Sequence, residues 1–112
     1  MIYDGSGEKP YLGSVGIKDD RIIYVGENTA FESDTIIDAS GLIVSPGLID
    51  MHTHNFYGTV HNRYLANSFI AVPPDGFTFR SGVTTVVDAG SPGWRNFELY
   101  KSQIIETSKT RV

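Results

Sequence analysis

Leu42-Ile43-Val44-Ser45-Pro46-Gly47-Leu48-Ile49-Asp50-Met51-His52-Thr53-His54 is the stretch on which the reading of this chain turns. An apolar run is broken at Pro46-Gly47, resumes at Leu48 and ends in two histidines one residue apart. A run that resumes after such a turn reads as a short buried strand. Residues two apart on a strand share a face. The imidazoles of His52 and His54 are therefore expected side by side, as two ligands of one metal ion would be. Two histidines make half a site, and the surrounding sequence must supply the context.

Downstream, residues 55–72 form a long loop rich in Asn, Tyr and Phe that carries His61. Pro73-Pro74-Asp75 opens a short helix, with Gly82 expected in the left-handed conformation just past its end. Residues 83–90, Val-Thr-Thr-Val-Val-Asp-Ala-Gly, read as a strong buried strand. Ser91 and Pro92 suit the N-cap and first position of a helix. Trp94, Phe97, Tyr100 and Ile104 recur at helical spacing, which predicts a packed face. Lys109 and Arg111 suit that helix's negative pole near its end. Strand, loop, helix, strand, helix is a βαβα order, which implies parallel pairing and a right-handed crossover.

Upstream, residues 2–46 read as short antiparallel strands joined by tight turns. Val15 and Ile17 alternate with small or polar residues, Asp19-Asp20 makes a turn, and Arg21-Ile22-Ile23-Tyr24-Val25 returns. Thr35-Ile36-Ile37-Asp38 and Leu42-Ile43-Val44 are expected as two further strands. Together they predict one layer of a small β-sandwich, whose apolar face needs cover from elsewhere. The domain organisation is therefore a β-sandwich segment over 1–47 and the start of an α/β unit over 48–112.

Composition narrows the function classes. The chain has 112 residues, 40% hydrophobic, with no cysteine and a formal net charge of −4. That much apolar content supports a core and argues against disorder. Mild acidity without a basic cluster argues against a nucleic-acid surface. Without thiolates, any metal must be held by nitrogen and oxygen ligands. No apolar run reaches the length of a membrane span, and Met1-Ile2-Tyr3-Asp4-Gly5 lacks the basic and apolar regions of a signal peptide. A cytoplasmic protein without membrane or nucleic-acid partners is the expectation, and a homo-oligomer of the intact protein is left open.

These residues resemble a known family. Pro46-Gly47-Leu48-Ile49-Asp50-Met51-His52-Thr53-His54 resembles the first barrel strand of the amidohydrolase superfamily of metal-dependent hydrolases. Ile2-Tyr3-Asp4-Gly5-Ser6-Gly7 and Asp20-Arg21-Ile22 resemble its N-terminal β segment. Gly82-Val83-Thr84-Thr85-Val86-Val87-Asp88-Ala89-Gly90-Ser91, with Glu106-Thr107-Ser108-Lys109-Thr110-Arg111-Val112, is similar to the dihydroorotase-like branch of amidohydrolase/deacetylase proteins. The resemblance implies the first two βα units of a TIM (β/α)8 barrel, whose active site lies at the C-terminal ends of the strands. It implies one or two divalent metal ions, usually zinc. It also implies a carboxylated lysine, two later histidines and a last-strand aspartate. A bound metal would bring the pKa of its water from about 15.7 to about 7, and the resulting hydroxide would attack an amide carbonyl. At 112 residues, against about 250 for a whole barrel, the chain is expected to be a fragment lacking those later groups.

Within that frame His52 and His54 are the metal ligands and a small-molecule amide is the substrate. N-acyl or N-acetyl amino-acid deacetylation leads, with dihydroorotase-like cyclic-amide hydrolysis as its competitor. A non-catalytic barrel homologue, or an inactive fragment, is the alternative from another class; such homologues typically lose the H-x-H present here. Cupins also use H-x-H, but they need a glutamate four or five residues on, and the next acid after His54 is Asp75. Asp50 shares the face of His52 and reads either as a carboxylate satisfied by hydrogen bonds or as support behind the ligands. His61 could touch substrate from its loop, though a solvated histidine is the simpler reading. Asp88 ends the second strand, either toward substrate or capping the turn that follows.

Overall fold

The computed structural model describes residues 1–28, 30, 32–58 and 70–112. The chain divides into two compact units, Met1–Pro46 and Gly47–Val112. Each contains one two-stranded sheet among the described residues.

In the first unit, β1 (Ser14–Lys18) and β2 (Arg21–Gly26) form an antiparallel hairpin with a bulge between Gly16 and Ile17. Asp19, in the two-residue turn, sits at φ 54°. A tight hairpin turn demands the left-handed region, which aspartate tolerates because its carboxylate can bond locally. Ile2, 3% exposed, is the buried centre of the unit. It bridges Tyr11 in antiparallel and Val44 in parallel fashion. Two expectations are corrected here. Thr35-Ile36-Ile37-Asp38 is not a strand, and Ile36 and Ile37 are 82% and 86% exposed. A strand needs a ladder partner; instead Asp38 Oδ1 accepts the Ser40 backbone N–H at 2.8 Å and closes a turn. Among the described residues Leu42-Ile43-Val44 contributes a single parallel bridge, at Val44, so the antiparallel layer described is smaller than its apolar pattern suggested.

In the second unit, β3 (Leu48–Thr53) pairs in parallel with β4 (Val83–Asp88), as the βαβα order predicts. Leu48 N donates to Gly82 O at 2.9 Å and Ala89 N to Thr53 O at 2.8 Å, so the ladder is pinned at both ends. At Gly47 a Cβ would lie 2.0 Å from Thr84 Oγ1. No side chain fits there, and the turn before β3 can approach β4 only as glycine.

The segment between the strands includes two 3₁₀ turns, Pro74–Gly76 and Phe79–Ser81, where a single short helix was expected. Pro74 opens the first because a proline needs no N–H partner there. Gly82 ends the second at φ 73°, in the left-handed region as expected.

After β4 a helical run begins with a 3₁₀ turn (Trp94–Asn96), continues as α1 (Phe97–Tyr100), and closes in a π turn (Lys101–Ile105). Its start corrects the assignment of Ser91 and Pro92. The run begins after Gly93, at φ 61°, because Ser91 is drawn into a turn by Asp88. Tyr100 and Ile104 face inward and pack with Phe56, and the Phe56 and Tyr100 rings meet edge to face at 6.0 Å. Trp94, expected on the packed face, is 84% exposed instead. It lies on the first 3₁₀ turn with the Arg95 guanidinium 5.3 Å over its ring.

Lys109 and Arg111 do not lie in the helix, which ends at Ile105. Arg111 joins the free edge of β4 in a parallel bridge, donating to Thr84 O at 3.0 Å and accepting from Val86 N at 2.8 Å. Asp75 fixes this segment. Its Oδ2 accepts from Lys109 N at 2.9 Å and its Oδ1 from Thr110 N and Thr110 Oγ1 at 2.8 and 2.7 Å. The backbone N–H of Lys109, then that of Thr110, holds the Asp75 carboxyl below its ordinary 3.8.

A depressed carboxylate stabilises the fold fully above its unfolded pKa, about 3.9, and loses that contribution as the pH falls through the folded value. Asp75→Ala is therefore expected to cost on the order of 1 kcal/mol at neutral pH, allowing for solvent screening. The gap between wild type and variant should close when denaturant unfolding is repeated well below pH 4. A gap that stays constant into acid would show that the charge is not what stabilises this segment.

Candidate functional site

At the end of β3 the side chains alternate as a strand requires. Thr53 turns inward, 6% exposed, while His52 is exposed and His54 half-buried on the other face. The two imidazole centroids lie 5.4 Å apart with rings at 84°. With nitrogens about 2.0–2.1 Å from a zinc ion, two tetrahedrally placed imidazoles would have centroids roughly 5 Å apart. The spacing and the all-nitrogen donor pair fit one shared ion. Among the described residues no third His, Cys, Asp or Glu completes a cluster.

Asp50 is half-buried, and its Oδ1 accepts the His52 backbone N–H at 3.0 Å. The ladder register breaks between Asp50 and Thr53, so the carboxylate takes an N–H close to the break in pairing with β4. Asp50 thus holds the peptide of His52.

Asp88 joins the ends of the two strands. Its Oδ2 accepts from Asn55 N and its Oδ1 from Ser91 N, both at 2.6 Å. Ser91 Oγ in turn lies 2.9 Å from His54 Nδ1. Beside this clasp, Thr53 Oγ1 donates to Val87 O at 3.0 Å and receives Asn55 Nδ2 at 2.7 Å. The turn-capping reading of Asp88 describes these bonds, since each carboxylate oxygen already meets a backbone N–H. Burial, followed by the charge of Asp88, pushes the Tyr100 phenol up to about 12, so it stays protonated at neutral pH. Asp88, Trp94, Phe97 and Tyr100 line an open cleft of about 560 Å³ next to the clasp. His61 lies outside the described residues.

The residues that the sequence reading passed over are Ser91, as the partner of His54, and Asn55. A signal was present, since an aspartate three residues before a serine favours a side-chain-to-backbone turn. The sequence reading leaves the capping alternative open for Asp88, but it assigns Ser91 to a helix N-cap and does not recognise its amide as the group that Asp88 holds.

No family model matches the chain. The chain is 38% identical over 95 residues to a deacetylase of Agrobacterium fabrum, covering 84% of this chain and 21% of that protein. It is 35% identical over 86 residues to a D-aminoacylase of Alcaligenes xylosoxydans, covering 77% of this chain and 16% of that protein. A shorter match, 49% over 47 residues, is to an imidazolonepropionase of Staphylococcus aureus, 41% of this chain and 11% of that protein. The chain spans about a fifth of the length of the first curated relatives it matches.

The clasp carries its own prediction. Asp88→Ala leaves the Asn55 and Ser91 amides without their acceptor and is expected to cost about 1–3 kcal/mol. Asp88→Asn keeps one accepting oxygen and should lose about half as much. Thermal unfolding of the three proteins checks the order, and equal midpoints for all three would contradict the clasp.

Proposed function

We propose that the chain belongs to the amidohydrolase superfamily, as its similarity to these relatives supports, and that it forms the opening of a (β/α)8 barrel in a metal-dependent hydrolase of amide C–N bonds. The observation that carries this reading is the pair of imidazoles side by side at the C-terminal end of β3, 5.4 Å apart. That end of a barrel strand is where catalytic groups sit. Parallel pairing of β3 with β4 and the bridge from Arg111 support the barrel.

His52 and His54 would hold a divalent ion, zinc being the natural choice for nitrogen donors without thiols. Such an ion supplies a polarised carbonyl and an acidified water when bound. The chain's own residues prepare the place for it. Asp50 anchors the His52 peptide, and the Asp88 clasp fixes the loop after β4 beside His54. The cleft beyond Asp88, walled by Trp94, Phe97 and Tyr100, offers apolar surface for part of a small substrate. Both Asp88 oxygens accept backbone N–H groups, and the part proposed for Asp88 is to shape that wall.

The relatives' names support a substrate class. Relatives named a deacetylase and a D-aminoacylase match over most of this chain. An N-acyl or N-acetyl amino acid is accordingly the substrate proposed. Opening of a cyclic amide is the second reading, favoured by the shorter match to an imidazolonepropionase.

In the protein that carries these residues, His52→Ala or His54→Ala is expected to remove most bound zinc and hydrolysis together. Metal content and acetate release from N-acetyl amino acids are the measurements. Full metal content with both histidines replaced would overturn the reading. Turnover of a cyclic amide with no acetate release would move the assignment to the second class.

A further inference from the structure

We propose that Ser91, held by Asp88, is the positioning residue that decides which nitrogen of His54 is offered to a metal ion. The inference rests on the metal reading above and deepens it. A neutral imidazole has one nitrogen that donates and one that accepts, and its neighbours select the tautomer. Ser91 Oγ lies 2.9 Å from His54 Nδ1. A hydroxyl can accept from Nδ1–H or donate to a bare Nδ1, and in the proposal it accepts, which leaves the lone pair on Nε2. Nε2 is then the nitrogen available for a ligand. Once a metal takes the Nε2 lone pair, Nδ1 must carry the ring proton, and the Ser91 hydroxyl oxygen is in place to accept it.

Ser91 is not free to drift. Its backbone N–H is fixed on Asp88 Oδ1, and Asp88 Oδ2 holds the backbone of Asn55, the residue after His54. One carboxylate thus ties both sides of the His54–Ser91 contact and closes a ring of four residues, His54, Asn55, Asp88 and Ser91. The loop after β4 thereby sets a side chain at the end of β3. Partners that orient a ligand histidine in this way typically contribute 10- to 100-fold in metal affinity.

The test reads the tautomer directly, by nitrogen-15 NMR of the imidazoles in the metal-free form of the protein that carries these residues, and separately titrates zinc against a chromophoric chelator. Wild type should carry the His54 proton on Nδ1. Ser91→Ala should shift His54 toward the Nε2–H form that an unconstrained imidazole favours, leave the His52 resonances in place, and weaken zinc binding about tenfold. Ser91→Thr keeps the hydroxyl and should retain both properties, which separates positioning from a general loss of structure. A His54 tautomer that ignores Ser91→Ala, or a Ser91→Thr variant that behaves like alanine, overturns the inference. If the wild-type protein that carries these residues binds no zinc, the metal reading on which the inference rests is overturned instead.

Discussion

The backbone ladder between β3 and β4 is the interaction on which the second unit depends. It is pinned by Leu48 N on Gly82 O at one end and Ala89 N on Thr53 O at the other. Parallel pairing puts the C-terminal ends of both strands on one edge, which brings His54 within reach of Ser91. The ladder tolerates no side chain at residue 47, where Thr84 already fills the space that a Cβ would need. A shift of one residue in this pairing would carry His52 and His54 to the opposite face. The glycine before the strand and the histidines at its end therefore answer to the same constraint.

Aspartates give the loops their shape. Asp50, Asp75 and Asp88 each accept backbone N–H groups, at the His52 peptide, at Lys109 and Thr110, and across the strand ends. Asp4 and Asp38 do the same in the first unit, on Ser6 and Ser40. A carboxylate that accepts from a backbone amide stands in for a ladder partner wherever the chain leaves its strand. Part of the net charge of −4 is thus structural. Acidic residues here organise turns, and an acid close to a histidine in sequence need not be its ligand.

Much of the second unit was legible in the sequence. Residues 48–53 and 83–88 carry apolar, β-branched runs bounded by glycine, and their parallel pairing follows from the helical segment after each loop. The histidine pair was legible because strand geometry alone sets side chains two apart on one face. What escaped depends on competition between local bonds. Ser91-Pro92 has the composition of a helix start, but Asp88 captures the Ser91 amide and the helical run begins only after Gly93. Trp94 fits the helical period, yet the late start leaves it on an exposed first turn. Thr35-Ile36-Ile37-Asp38 has strand propensity, and propensity does not supply a partner strand. Arg111 reads as a helix-end cation, whereas the Asp75 bonds to Lys109 and Thr110 pull that segment into line with β4.

The central claim is that the end of β3 presents two imidazoles to one metal ion. X-ray absorption spectroscopy at the zinc edge, on the zinc-loaded protein, tests it most directly. The account predicts nitrogen scatterers about 2.0–2.1 Å from the metal with an outer-shell pattern of imidazole to which His52 and His54 both contribute. It also predicts that either His52→Ala or His54→Ala lowers bound zinc, and weakens the imidazole pattern of whatever zinc remains. A first shell without imidazole, or one unchanged by either substitution, would contradict it.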